Sequence, residues 1–154
     1  MNHIGLNEEK SKELVQKLNT LLANYHIFYI NVRGYHWNIK GEKFFELHLK
    51  FEELYNDIVL KIDEIAERVK TLGETPLHTF TDYLERSAIT ETKNVSSGNE
   101  AIGHILASLK QLLVLQRELL TLSAEAEDEG TNALMSDYIR QQEKMVWMYN
   151  AYLS

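Results

Sequence analysis

Four residues in the second quarter of the chain carry side chains that bind metals: His48, Glu52, Asp63 and Glu67. His48 and Glu52 stand four apart, as do Asp63 and Glu67, so on a helix each pair shares a face. At 100° per residue all four fall within about 100° of the circumference. Along the axis, however, His48 and Asp63 lie roughly 22 Å apart at 1.5 Å per residue. One helix cannot bring its two ends around one ion. A second copy running antiparallel across a two-fold axis can, and it would set His48 and Glu52 of one chain against Asp63 and Glu67 of the other. Two-fold contacts are reciprocal, so two equivalent sites would result. Carboxylate and imidazole ligands suit iron, manganese or zinc. Spacing alone also permits a plainer reading, in which two i,i+4 polar pairs are a solvated helix face.

The helix that must position these residues runs from Phe44 to Leu72. Phe44, Leu47, Phe51, Leu54, Ile58, Ile62, Ile65, Val69 and Leu72 form one apolar stripe, expected to face the chain's own core. The ligand row borders that stripe, interleaved with Tyr55, Val59 and Ala66. Lys50, Asp57, Lys61, Glu64 and Arg68 are expected on the solvent side.

The other elements also read as helices. A first helix is expected from Asn7, with Glu8 and Glu9 suited to its positive end, through Leu14, Leu18, Leu21 and Phe28 towards Gly34. Gly41 marks the turn into the second helix. Gly73 and Pro76 end it. Residues 74–96 form a long connection, in which residues 79–85 read as one short crossing helix. Ser97 and Glu100 have capping-box spacing for the third long helix. A break at Glu129-Gly130-Thr131 leads to the fourth. Two helical hairpins joined by one long crossover predict an all-α protein, a ferritin-like four-helix bundle with a short extra helix in the crossover between long helices two and three. The alternative is an up-down bundle with an irregular loop. A single domain over residues 1–154 is expected, long enough for its own core.

Composition narrows the chemistry. The chain has no cysteine, so thiolate ligands and disulfides are excluded. None of its six histidines follows a glutamate by three residues, so the Glu-x-x-His motif of di-iron sites within one bundle is missing. An N-terminal leader pattern and an apolar run of membrane-spanning length are both lacking. The cytoplasm is the expected location.

The segment upstream of His48 adds specificity. It reads Asn31-Val32-Arg33-Gly34-Tyr35-His36-Trp37-Asn38-Ile39-Lys40-Gly41, followed by Phe44-Phe45-Glu46-Leu47-His48. With Glu52, Asp63-Glu64-Ile65-Ala66-Glu67-Arg68 and Leu72-Gly73-Glu74-Thr75-Pro76-Leu77, it resembles the signature of the Dps-type mini-ferritins. This is the family of DNA-binding proteins from starved cells. The resemblance spans essentially the whole chain, more weakly in its second half. It implies a ferroxidase centre between subunits, with iron held by His36 and His48 of one chain and Asp63 and Glu67 of its two-fold mate. Glu52 matches a position that is acidic in the family, often Asp. The implied activity is oxidation of Fe(II) by hydrogen peroxide, with ferric mineral stored inside a hollow homododecamer. Removing iron and peroxide together would limit oxidative damage during starvation. Trp37 either intercepts stray oxidising equivalents or packs at the interface. His26, His78 and His104 are expected to be surface or core histidines. The resemblance also places acid-lined three-fold pores near Glu125, Glu127, Asp128 and Glu129, or alternatively at Asp137, and Asn132 stands where an acid could be expected.

Two other functions compete with iron oxidation. DNA binding requires cations to neutralise phosphates. The formal charge is −7 per chain, and twelve times −7 gives about −84, an assembly that DNA repels. Strong DNA binding is therefore not expected. A non-catalytic helical scaffold would explain the apolar stripes but not the aligned His and acid pairs.

Overall fold

The computed structural model describes every residue, Met1–Ser154, and its regular elements are five helices: α1 (Glu8–Asn38), α2 (Phe44–Thr71), α3 (Phe80–Arg86), α4 (Gly98–Glu125) and α5 (Glu129–Leu153). α1 packs along α2, α4 along α5, and α1 joins the two hairpins through α4. The crossover from α2 to α4 carries α3, which lies against α1. The all-α, ferritin-like bundle expected from the sequence is therefore the observed one.

Capping residues define where these helices begin. Asn7, Thr79, Ser97 and Asp128 each accept the backbone N–H three residues on, a contact that contributes about 1 kcal/mol per helix. α2 is different: Lys43 makes no side-chain cap, and the chain enters through Gly41 at φ 116°. The apolar stripe of α2 faces inward as expected, with Phe51, Ile58, Ile65 and Val69 essentially inaccessible. Burying a side chain of this size stabilises the fold by about 1.5–3 kcal/mol.

The ends of α2 and α4 share one solution to their unsatisfied carbonyls. After α2, Glu74 N–H reaches back to Val69 O across Gly73 at φ 91°. After α4, Asp128 N–H reaches Ser123 O across Glu127 at φ 56°. The left-handed residue closes both loops, and only the first is a glycine.

Two expectations are corrected. The break between the last helices falls at residues 126–128, and Glu129-Gly130-Thr131 already belong to α5. The side chain of Asp128, rather than a loop around Gly130, starts that helix. The supposed solvent face of α2 is also partly covered by α5. Lys61 is only 3% exposed: its ammonium bonds both Asp57 oxygens at 2.8 Å and Gln141 at 2.9 Å. Glu64 accepts the Tyr138 hydroxyl. Arg68 bonds Asp128 and Thr131, passing over Gly130, where a Cβ would lie 2.8 Å from its guanidinium nitrogens.

At the centre of the bundle three polar side chains form a closed ring. Tyr25 donates to Gln116, Gln116 donates to Gln142, and Gln142 donates back to the Tyr25 hydroxyl. Burial is the main reason the Tyr25 phenol is held well above its usual range.

Candidate metal centre

His36 sits in the last turn of α1 and His48 in the second turn of α2, brought together by the Gly41 turn. Their rings stack in parallel, centroids 3.8 Å apart and planes 12° from parallel. Each ring is locked by the other residue's backbone: His36 Nδ1 lies 2.6 Å from His48 O, and His48 Nδ1 lies 2.7 Å from His36 O. A carbonyl oxygen only accepts, so both Nδ1 atoms must carry the proton. In the neutral ring this tautomer turns the Nε2 lone pair outward, the form in which imidazole binds metal.

The neighbours fix this pair from outside. Phe44 stacks on His48 at 4.9 Å, and Tyr55 meets His36 edge-on at 5.2 Å. His36 is buried, at 6% exposure. Glu52 extends towards it, with Oε1 3.9 Å from His36 Nε2. This is too long for a strong hydrogen bond. Trp37 points outward at 57% exposure, with the Arg33 guanidinium 4.7 Å over its ring.

Asp63 and Glu67 occupy a different environment three turns further along α2. Both are exposed. They stand one turn apart, and hydrogen bonding and charge from Asp63 raise the Glu67 pKa from its ordinary value. Two like-charged oxygen ligands held side by side form an arrangement that a cation relieves. Within one chain, no three His, Asp or Glu side chains converge on a point suited to a metal. The structure thus brings His36, His48 and Glu52 together at one end of α2 and Asp63 with Glu67 at the other.

The outlying candidates have local partners. His26 stacks on Tyr83 at 3.9 Å, and burial lowers its pKa to about 4. His104 pairs with Glu100 on its own helix, and His78 Nδ1 contacts Pro76 O. Of the acidic run, Glu125, Glu127 and Glu129 are exposed but Asp128 is not. Asp128 caps α5 and pairs with Arg68, so it cannot line an aqueous pore. Asp137 is exposed beside Arg140, and Asn132 bonds back to Leu120 O and Ser123. Sequence reasoning also missed Tyr55 and Phe44 as supports of the imidazoles. Their i,i+3 and i,i+4 relations to Glu52 and His48 were the available signal.

Known proteins resemble this chain closely. The family model described as a ferritin-like domain matches residues 15–154. A DNA protection during starvation protein of Porphyromonas gingivalis is 37% identical over 148 residues, covering 96% of this chain and 93% of that protein. The crystal structure of a Dps protein from Vibrio cholerae O1, described as a member of a broad superfamily of ferritin-like diiron-carboxylate proteins, superposes with a TM-score of 0.99 at 52% identity. It covers 100% of this chain and 97% of its own. A Dps protein from Bacillus brevis superposes with a TM-score of 0.92 at 32% identity, covering 95% and 98%.

Proposed function

This chain belongs to the ferritin-like family as a Dps-type mini-ferritin, and from that premise we propose that it is a ferroxidase that oxidises Fe(II) with hydrogen peroxide and stores the ferric product inside a hollow homo-oligomer. One observation carries this reading. The paired imidazoles and the paired carboxylates stand at opposite ends of α2, and one chain does not gather them around an ion; a second, antiparallel chain would close that gap. The site is then formed by His36, His48 and Glu52 of one chain with Asp63 and Glu67 of the partner subunit.

The roles follow from the side chains. Asp63 and Glu67 supply anionic oxygen that stabilises the product charge of iron(III) more than the reactant charge of iron(II). His36 and His48 present fixed nitrogen lone pairs, and Glu52 adds a third carboxylate within reach. The overall reaction balances as two Fe(II), one hydrogen peroxide and two waters giving two FeOOH and four protons. Each peroxide takes one electron from each iron, so no one-electron fragment of peroxide is released. Protection of DNA, named in the relative from Porphyromonas gingivalis, would here come from removing iron and peroxide. A chain of net charge −7 gains nothing electrostatically from phosphate contact. Trp37, beside His36, either covers the site from the interface or donates an electron when iron is short.

The test is anaerobic Fe(II) loading of the metal-free protein, then hydrogen peroxide, with ferric absorbance and particle size read in the same sample. Rapid oxidation at two irons per peroxide, with iron retained in a particle near twelve chains, is expected. No acceleration over buffer in an intact assembly would refute the ferroxidase reading.

A further inference from the structure

Trp37 has two parts open to it beside His36, wall or electron donor, and its neighbour Arg33 decides between them. Tyr29, Arg33 and Trp37 follow one another at intervals of four on α1, so they share a face. Tyr55 of α2 closes the group. The Arg33 guanidinium lies 4.7 Å from the ring centroids of Trp37 and Tyr55 and 5.6 Å from that of Tyr29. Nη1 donates to the Tyr29 hydroxyl at 2.7 Å, and Nε is buried without an acceptor. No carboxylate of the chain pairs with Arg33, although Arg68, Arg117 and Arg140 each have one. Its charge is therefore met by ring faces and one phenol oxygen, and no anion cancels it. The second tryptophan supplies the contrast. Trp147 is 66% exposed against 57% for Trp37, yet no cation lies over it.

Such a cation changes what an indole can give up. To donate one electron the ring must become positive, and its N–H proton then passes to water. The guanidinium is attracted to the face of the neutral ring and repels the positive ring at the same distance. Both effects hold the electron where it is. We propose that Arg33 raises the one-electron oxidation potential of Trp37, so that the indole next to His36 is a wall against oxidising equivalents and not a source of electrons. Arg33 is a positioning residue here, because it acts through the ring it covers. Tyr55, edge-on to His36 and under the same cation, is guarded in the same way. With both rings guarded, the two electrons that peroxide takes come from the two irons. That consequence rests on the ferroxidase reading above, whereas the shift in potential stands on contacts within one chain.

The test uses metal-free protein carrying Trp147→Phe, in which Trp37 is the one remaining tryptophan. Hexachloroiridate(IV), an outer-sphere oxidant, takes one electron and becomes hexachloroiridate(III), and loss of Trp37 fluorescence gives the rate. Acrylamide quenching of the same sample measures access to the ring, and each oxidation rate is divided by it. Arg33→Gln is expected to be oxidised about tenfold faster than the parent on this scale. The oxidant is an anion, so loss of a cation weakens its attraction, and steering cannot produce that acceleration. Arg33→Lys, which keeps the charge, should stay within about threefold of the parent. Equal rates for the parent and Arg33→Gln, or an Arg33→Lys as fast as Arg33→Gln, would overturn the proposal. If Arg33→Gln fails to fold, Trp37 in the parent is compared with Trp147 in a Trp37→Phe protein. Trp37 should then be about fivefold or more slower at matched access, and equal rates refute the shift. Iron with peroxide tests the consequence: Arg33→Gln should lose more Trp37 per peroxide consumed than the parent. A parent that shows the iridate difference but oxidises no iron keeps the shift in potential and removes the ferroxidase reading.

Discussion

The two ends of α2 hold the same class of residue in opposite conditions. At the N-terminal end, His36 and His48 are stacked, hydrogen-bonded to each other's backbone and walled by Phe44 and Tyr55. At the other end, Asp63 and Glu67 are exposed and held only against each other. The chain finishes the imidazole half by its own packing. It leaves the carboxylate half strained in charge, to be relieved by an ion or by a second chain. Folding and function should therefore separate at one end of the helix and coincide at the other.

The sharpest break comes from Asp63→Ala with Glu67→Ala. Rapid iron oxidation should fall by on the order of a hundredfold or more, read by stopped-flow ferric absorbance. Urea stability of the metal-free chain should change by no more than about 0.5 kcal/mol, because both groups are exposed. His36→Ala should do both kinds of damage. It removes a buried ring and its Nδ1 hydrogen bond to His48 O, which should cost about 2–3 kcal/mol of stability in urea unfolding as well as iron oxidation. If stability were unchanged, the imidazole half would not be prebuilt. A milder probe is Phe44→Leu, which keeps the apolar volume but removes the stack on His48. A loss of about 1 kcal/mol or less is expected, with iron oxidation slowed several-fold.

The smallest effect concerns protons. Because Glu67 titrates above the ordinary range, the metal-free site retains a proton there to higher pH, and a metal must displace it. Zinc affinity, read by calorimetry, should fall as pH drops through that raised value, with proton release on binding. Glu67→Gln should abolish the release assigned to this group. For folding the sign is reversed: a raised carboxylate is favoured below its folded pKa, and that contribution is lost as pH rises through it. His26 behaves oppositely. Its folded pKa of about 4 lies below the ordinary imidazole value, so stability present near neutrality should be lost as pH falls from about 6.5 towards 4. His26→Phe, which keeps a ring against Tyr83, should flatten that loss in urea unfolding at pH 4.5 against 7.5.

The helices, their caps and the crossover were legible because they rest on local rules: Asn7, Thr79 and Ser97 are short polar residues just before apolar periodicity. The division of the site was legible from spacing, since 15 residues of helix is a rigid distance. What the sequence hid depends on contacts between distant segments. Lys61 lies among charged residues on a polar face, and only α5, with Gln141 and Tyr138, makes its burial tolerable. Asp128 sits in an acidic run that suggests solvent, yet its carboxylate serves a helix end and Arg68 at once. The His36–His48 lock was invisible because its acceptors are backbone carbonyls, which carry no residue identity. The Tyr25 ring joins three polar positions that no local pattern connects.

That ring has a consequence for where charge can rest in this molecule. Its three donors run head to tail, so every dipole is answered by the next and none projects into the space they enclose. A cation drifting into the middle of the bundle meets no net charge and no idle oxygen, while the rim of the fold offers both. The centre of the bundle offers an ion no ligand, and the imidazoles and carboxylates that could hold one stand at the two ends of α2.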